Sequence, residues 1–126
     1  MALLWPPQSG NVRYISAPPS PAWTKTTPRA LVLLGSTGSI GVNALRVVES
    51  APHLFTVTAL AGARNVRRLA EQADRRRPAW LGVLDGPAAD ALRALLPRGY
   101  NPPIVTGPDG YAHLAALPEA STVLSA

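Results

Sequence analysis

The sequence predicts an α/β fold with a mostly parallel, doubly wound sheet, and three observations support this prediction. Strand-like and helix-like segments alternate from Ala30 onward, an order typical of parallel sheets with right-handed crossovers. The first apolar segment, Leu31 to Leu34, shows no polar alternation, as expected of a strand buried on both faces. A glycine-rich turn follows this segment, and a helical pattern begins directly after the turn.

The glycine-rich turn is the most informative feature. Gly35, Gly38 and Gly41 form a Gly-x-x-Gly-x-x-Gly loop that opens a helix. In a Rossmann-like fold these glycines permit, in order, the tight turn, the approach of backbone amides to a pyrophosphate, and close packing of helix on strand. The helix N-terminus adds unpaired N–H groups and a partial positive charge. We therefore predict a dinucleotide site. A P-loop is excluded because it requires a Gly-Lys pair, and no lysine is near.

The first helix is predicted to begin at Ser39 and to end before Pro52, because the residue preceding a proline disfavours the α conformation. The helical spacing of its apolar residues predicts one buried face. This face would consist of Ile40, Ala44, Val47 and Val48.

The remaining elements follow from periodicity and from residues that begin or end helices. Asn65 is a favourable N-cap for a second helix that Pro78 ends, and Asp85-Gly86-Pro87 is a turn with proline at a helix start. Predicted strands cover 55–61, 79–84, 104–105 and 122–124, and predicted helices cover 66–77, 88–96 and 108–117.

The composition bounds the class of protein. The chain has 126 residues, a net charge of +5 and no cysteine. This length suits one domain with a reasonable core, and the lack of cysteine excludes disulfides and thiolate metal sites. No apolar run approaches the ~20 residues that a membrane-spanning helix requires, so we expect no membrane partner.

Arginines between Arg64 and Arg77 supply most of the positive charge. Such a cluster is found in nucleic-acid-binding proteins and also on the solvated face of an ordinary helix. No aromatic residues are interleaved with these arginines, although a base-stacking platform would need them. We favour the solvated face and expect no nucleic-acid partner.

Two segments are predicted along the chain. Residues 1–28 are rich in proline, serine and threonine and contain no acidic residue, which predicts a disordered or extended arm. Residues 29–126 form the predicted dinucleotide-binding domain. A buried parallel strand is expected at the end of the sequence, so we expect the sequence to be a fragment. The arm has only Arg13 and Lys25 as charges, so we favour a bacterial cytoplasmic protein over a plastid one.

The end of the second predicted strand indicates which coenzyme is preferred. In dinucleotide folds an acidic residue about 20 positions past the glycine loop accepts from the ribose 2′-hydroxyl. Between Ala61 and Asn65 this chain has no acid and instead has Arg64. A guanidinium group can bind a 2′-phosphate through two charge-assisted hydrogen bonds, so we predict NADP(H) rather than NAD(H).

No catalytic or metal-binding constellation is apparent. His53 and His113 have no carboxylate at metal-ligand spacing, so both are predicted to lie at the surface or half-buried. Ser36 and Ser39 lie in the glycine loop, where a phosphate contact is favoured over nucleophilic attack because no base is near in sequence.

Two blocks of the sequence resemble 1-deoxy-D-xylulose 5-phosphate reductoisomerase. The first is the glycine loop over residues 33–41, and the second comprises residues 58–66 and 69–72. The spacing between the blocks also fits, and the tail over residues 115–126 is similar to the approach to the family's next strand. The resemblance covers Arg29 to Ala126.

The resemblance implies that this region is the NADPH-binding, N-terminal part of the family's proteins. Residues at four loop positions would contact the phosphates and the adjoining ribose, beside the turn made by Gly35: Thr37, Gly38, Ser39 and Ile40. Three residues after the second strand would lie at the adenosine end: Ala63, Arg64 and Asn65. Many relatives have glycine in place of Ala63, where a turn with positive φ would disfavour alanine.

The resemblance also implies the reaction and its other participants. The family isomerises 1-deoxy-D-xylulose 5-phosphate and reduces the product to 2-C-methyl-D-erythritol 4-phosphate, in isoprenoid precursor biosynthesis. It implies a divalent metal (Mg or Mn), a phosphosugar substrate and a homodimer. The metal ligands and substrate-binding residues would lie beyond Ala126, so no catalytic or metal residue is assigned here. The chain alone is expected to bind NADPH weakly and to be inactive.

Two other classes of protein fit the residues. Semialdehyde and acyl-phosphate reductases also use a Gly-x-Thr-Gly loop before an NADP site, and they would require a catalytic cysteine and a histidine downstream. A noncatalytic nucleotide-binding module is the second alternative.

Overall fold

The computed structural model describes residues 28–126, so the predicted Pro-rich arm lies, except for Pro28, outside the described residues. Strands and helices alternate as predicted, with bounds that differ from the predicted ones by at most a few residues. In chain order the elements are β1 (Arg29–Leu34), α1 (Ser39–Ser50), β2 (Phe55–Ala61), α2 (Val66–Arg76), β3 (Trp80–Val83), α3 (Gly86–Leu95), β4 (Ile104–Thr106), α4 (Gly107–Ala115) and β5 (Thr122–Ser125).

The five strands form one sheet in the order β4-β3-β2-β1-β5, and every pair is parallel. The chain steps outward from β1 to β4 and then returns to place β5 on the other side of β1. Right-handed crossovers therefore place α1, α2 and α3 on one face of the sheet and α4 on the opposite face. This arrangement confirms the predicted Rossmann-like, doubly wound parallel sheet, and the strand order reverses at β1.

The core has one layer on each face of the sheet. Leu33 of β1 packs with Leu45 and Leu69 from the helices of one face, whereas Val32 packs with Leu114 of α4 on the other. Leu33 and Val32 are both fully buried. The uninterrupted apolar run in β1 is thus explained by burial on both faces, as predicted.

The buried face of α1 differs from the predicted one. Ile40 and Val47 are 64% and 59% exposed, and the buried residues of the helix are Gly41, Leu45 and Val48. Both stripes have helical spacing, so periodicity alone does not separate them. Gly41 decides between the two stripes, because only the side of the helix that lacks a Cβ can lie directly against the glycine loop.

Local signals at the helix ends agree with the sequence. The Asn65 side chain accepts from the Arg68 amide at 3.1 Å, and the Asp85 side chain caps α3 by accepting from the Ala88 amide at 2.9 Å. These contacts satisfy amides that the first turn of a helix leaves unpaired.

The arginine-rich segment lies mostly along α2. Arg76 contacts Glu49 of α1, with Nη2 and Oε1 2.6 Å apart. Arg77 follows the helix in the left-handed conformation (φ 47°) and contacts Asp74 at 3.0 Å. Part of the charge cluster therefore belongs to the packing of α2 against its neighbours.

Tyr100 links the segment after α3 to the end of α2, and it gives a prediction about alkaline stability. Its hydroxyl donates to the Pro78 carbonyl at 2.6 Å. Burial raises the pKa of Tyr100 to about 12, and the positive charge of Arg77 offsets only part of this increase. The folded protein thus retains a proton that the unfolded chain releases near pH 10. We expect the urea-unfolding free energy to fall as pH rises from 10 to 12, and less steeply in Tyr100→Phe. Equal slopes would contradict this role.

Candidate nucleotide-binding site

The glycine loop lies at the carboxyl end of β1, beside the ends of β2 and β5. In open parallel sheets, ligands bind in the crevice outside the carboxyl ends of the strands where the strand order reverses. In this chain the reversal occurs at β1, between β2 and β5. A crevice of about 320 Å³ lies here, bordered by Gly35, Gly62 and Tyr111.

The start of the loop is attached to the end of β2. The amides of Gly35 and Ser36 both donate to the Ala61 carbonyl, at 2.7 and 2.9 Å. Gly35 has φ +87°, a left-handed conformation that favours glycine. The chain therefore turns sharply out of β1 while remaining fixed to the neighbouring strand.

Gly41 sets the distance between the helix and the loop. A Cβ at this position would overlap the Gly35 carbonyl oxygen and lie 2.6 Å from the Cα atom of Ser36. Backbone atoms cannot move aside as a side-chain tip can, so the first turn of α1 requires glycine here. By contrast, a Cβ added at Gly38 would lie in ordinary van der Waals contact, 3.7 Å from the Gly35 carbonyl oxygen. Gly38 is also exposed.

The N-terminus of α1 presents amides without acceptors in the described part of the chain. Gly38 is the N-cap residue and supplies no side-chain cap. Within residues 28–126, no hydrogen-bond acceptor is found for the amides of Ser39, Ile40 and Gly41. Such amides and the helix dipole favour an anion, and Ser39 and Ile40 are exposed to receive one.

The residues after β2 lie next to this loop. Leu34 and Ala61 are register partners in the parallel pair β1–β2, so the two strands end level with each other. The Thr37 side chain packs on Gly62, where an added Cβ would lie 3.2 Å from Thr37 Cγ2. The structure therefore brings together the two groups of predicted site residues, 35–40 and 63–65.

Among residues 28–126, the segment 63–65 has one cation without a partner and one amide side chain that caps a helix. Arg64 is exposed and has no side-chain partner among residues 28–126. The Asn65 side-chain oxygen is occupied as the cap of α2. Ala63 does not adopt positive φ, so alanine fits the backbone where many relatives were expected to have glycine.

Three residues that the sequence reasoning did not single out also contact the site. Arg68 Nη1 donates to the Thr37 carbonyl at 3.1 Å, and Gln72 Nε2 donates to the Ser36 carbonyl at 2.9 Å. Tyr111 donates its hydroxyl to the Gly62 carbonyl at 2.7 Å, and burial and then Asp85 raise the pKa of Tyr111. The tyrosine therefore stays a protonated donor at neutral pH.

The two serines of the loop lie in different environments. Ser36 is fully buried, and its hydroxyl has no hydrogen-bond partner in the described part of the chain. The Ser36 side chain therefore lies inside the loop and not on its exposed surface, and its phosphate contact stays a prediction. Ser39 is exposed at the helix N-terminus, as a phosphate contact requires.

Residues that could carry catalysis or hold a metal are scattered. Across residues 28–126, no group of three or more histidine, aspartate or glutamate side chains lies within reach of one metal ion. His53 and His113 are exposed, which confirms their predicted surface placement, and the His113 ring lies 4.9 Å from that of Trp80.

The reversal of strand order at β1, together with the glycine loop that opens α1, defines a Rossmann-like α/β domain of the nucleotide-binding class. The sequence profile of 1-deoxy-D-xylulose 5-phosphate reductoisomerase matches residues 31–126. The chain belongs to this family.

Curated relatives are bacterial proteins described as 1-deoxy-D-xylulose 5-phosphate reductoisomerase. The protein of Nitratidesulfovibrio vulgaris is 67% identical over 115 residues, which cover 91% of this chain and 28% of the relative. That of Lawsonia intracellularis is 51% identical over 113 residues, covering 90% and 28%. The first match is longer than the stretch from Arg29 to Ala126, so the similarity extends into the Pro-rich segment.

Solved structures of the family have the same fold. The Zymomonas mobilis reductoisomerase in complex with NADPH is 31% identical, with a TM-score of 0.66, over 72% of this chain and 24% of that chain. A magnesium complex of DOX-P reductoisomerase is 25% identical, with a TM-score of 0.69, over 77% and 24%.

The chain thus spans 28% of the length of these curated relatives. Family membership does not favour the semialdehyde or acyl-phosphate reductase that the residues had left open. Among residues 28–126, no helix is long and apolar enough to cross a bilayer.

Proposed function

We propose that this chain is the NADPH-binding portion of a 1-deoxy-D-xylulose 5-phosphate reductoisomerase. The proposal rests on two observations: residues 28–126 supply no acceptor for the amides of Ser39–Gly41, and within the same residues the exposed side chain of Arg64 has no partner. A dinucleotide with a 2′-phosphate carries anionic groups at two places, the diphosphate and the adenosine ribose. The two features match these two places.

The residues of the site fit the coenzyme. Gly38 is exposed, a Cβ added there would lie 3.7 Å from the Gly35 carbonyl oxygen, and its lack of a side chain leaves the helix N-terminus open. We assign the diphosphate and adjoining ribose to the loop that Gly35 begins, at Thr37, Gly38, Ser39 and Ile40. We assign the adenosine end to Ala63, Arg64 and Asn65, with the guanidinium group on the 2′-phosphate.

When bound, NADPH supplies the hydride of the family's reduction step. This chain's residues contribute binding and orientation. The loop and helix N-terminus bind the diphosphate, and the crevice between Gly35, Gly62 and Tyr111 leaves room for the coenzyme to extend across β1. Tyr111 fixes the Gly62 carbonyl and thereby the start of the segment that contains Arg64.

The proposal for the full-length protein also includes a substrate, a metal ion and an oligomeric state. We propose a phosphosugar substrate, 1-deoxy-D-xylulose 5-phosphate, a divalent metal (Mg or Mn) held by residues outside this chain, and a homodimer in the bacterial cytoplasm. The two curated relatives described above are bacterial, and a magnesium complex of a reductoisomerase has the same fold.

Titration of the 126-residue chain with NADPH and NADH tests the proposal. We expect saturable binding, with NADPH at least about 10-fold tighter, because a hydrogen bond to a charged group contributes about 1.5–3 kcal/mol. Backbone amide NMR signals of Thr37, Gly38, Ser39 and Ile40 are expected to shift with both coenzymes. Absence of saturable binding, or shifts confined to another surface, would refute the assignment.

A further inference from the structure

Two side chains of α2 hold the carbonyl groups of the glycine loop. Gln72 Nε2 donates to the Ser36 carbonyl at 2.9 Å, and Arg68 Nη1 donates to the Thr37 carbonyl at 3.1 Å. Positions four apart on a helix lie on the same face. One stripe of α2 therefore contacts two consecutive carbonyl groups of the loop.

These contacts fix the direction of the loop amides. In a trans peptide the C=O and N–H groups point in opposite directions. The peptide unit from Ser36 to Thr37 has its carbonyl directed to Gln72, so the Thr37 N–H points away from α2. The next unit has its carbonyl directed to Arg68, and the Gly38 N–H turns back toward the Gly35 carbonyl at 3.4 Å.

We propose that Arg68 and Gln72 are positioning residues, which hold the loop carbonyls against α2 so that the Thr37 amide and the N-terminus of α1 face the coenzyme diphosphate. This inference rests on the proposed function. Neither residue needs to touch the ligand, because each acts through a loop carbonyl. Gln72 also satisfies the carbonyl of Ser36, a fully buried residue, which would otherwise need another donor.

The proposal separates Arg68 from the other arginines of the segment. Arg64 would bind the 2′-phosphate and thus discriminate between coenzymes, whereas Arg68 acts on the loop that serves the diphosphate of both. Arg67 is a matched control, because it is an exposed neighbour on the same helix and has no contact with the loop among the described residues. Its loss removes the same charge without removing a loop contact.

The test compares Arg68→Met, Gln72→Met and Arg67→Met in the 126-residue chain, with dissociation constants for NADPH and for NADH. Relative to Arg67→Met, we expect Arg68→Met to weaken both coenzymes by about 5-fold, the size of one net hydrogen bond, so that the NADPH-to-NADH ratio is unchanged. Gln72→Met is expected to have a similar effect, and Arg68→Lys, which retains a donor, is expected to restore part of the loss.

Backbone amide spectra of the ligand-free variants give a second measurement. The signals of Thr37 and Gly38 are expected to move or broaden in Arg68→Met and Gln72→Met but not in Arg67→Met. If Gln72→Met fails to fold, the exposed position Arg68 carries the test alone.

A loss confined to NADPH would make Arg68 a direct phosphate ligand, and a loss equal to that of Arg67→Met would remove its role. Wild-type protein that binds neither coenzyme would instead refute the proposed function, and unchanged Thr37 and Gly38 signals would then refute the positioning role.

Discussion

Gly41→Ala is expected to lower the free energy of unfolding by about 3 kcal/mol, at the upper end of the usual cost of overpacking. The corresponding fall in thermal midpoint is roughly 15 °C for a domain of this size. The added Cβ would overlap the Gly35 carbonyl oxygen and lie 2.6 and 2.7 Å from the Cα and carbonyl carbon of Ser36. All three are backbone atoms of the loop, so the clash is relieved only by moving the loop or the first turn of α1.

Gly86→Ala is the matched control for this substitution. Gly86 is the first residue of α3, and a Cβ added there would meet no heavy atom within 4 Å among the described residues beyond its chain neighbours and its own helix backbone. The same chemical change is therefore expected to alter stability by less than about 1 kcal/mol. Thermal unfolding and NADPH titration are measured on both variants. If Gly41→Ala unfolds at the wild-type temperature and binds NADPH normally, the close contact of helix and loop does not determine the site.

Most element boundaries were predictable because local residues determine them. Pro52 and Pro78 each lie two residues past the helix ends at Ser50 and Arg76, since proline lacks the N–H group and restricts its predecessor. Asn65 caps α2 as predicted. The continuous apolar run of β1 predicted burial on both faces, and the two core layers confirm it.

Features that depend on contacts distant in sequence were not predictable in the same way. The periodicity of α1 fits two overlapping stripes, and the close approach of Gly41 to the loop selects the one that leaves Ile40 and Val47 exposed. The sequence assigns Arg68, within the arginine cluster, to a solvated helix face and gives Gln72 no role, because their loop partners lie 31 and 36 residues earlier. The strand order and the placement of the site at β1 likewise required the tertiary structure.

The helix α2 connects the two halves of the proposed site. Its N-cap, Asn65, belongs to the segment assigned to the adenosine end, and Arg68 in its first turn contacts Thr37 of the glycine loop. A shift of α2 would thus move both groups of residues together. The distance between the glycine loop and Arg64 therefore depends on the position of this helix.

Arg64→Glu is expected to weaken NADPH by about 100-fold, because a charge-assisted hydrogen bond of about 1.5–3 kcal/mol is replaced by repulsion. NADH lacks the 2′-phosphate, so its dissociation constant is expected to change by less than about 3-fold. Arg64 is exposed and has no side-chain partner among residues 28–126, so the substitution should leave the thermal midpoint unchanged. The dissociation constants of both coenzymes measure the effect directly.

Arg67→Glu reverses the same charge three positions further along and serves as the control. Both substitutions replace a positive charge by a negative one, but Arg67 belongs to α2 and not to the loop after β2. We expect it to weaken NADPH only modestly, and less still at about 1 M salt, where the Debye length falls to about 3 Å and exposed charges are screened. Equal losses of NADPH in the two variants would assign coenzyme preference to the net charge of α2, and equal losses of NADPH and NADH in Arg64→Glu would place this residue away from the 2′-phosphate.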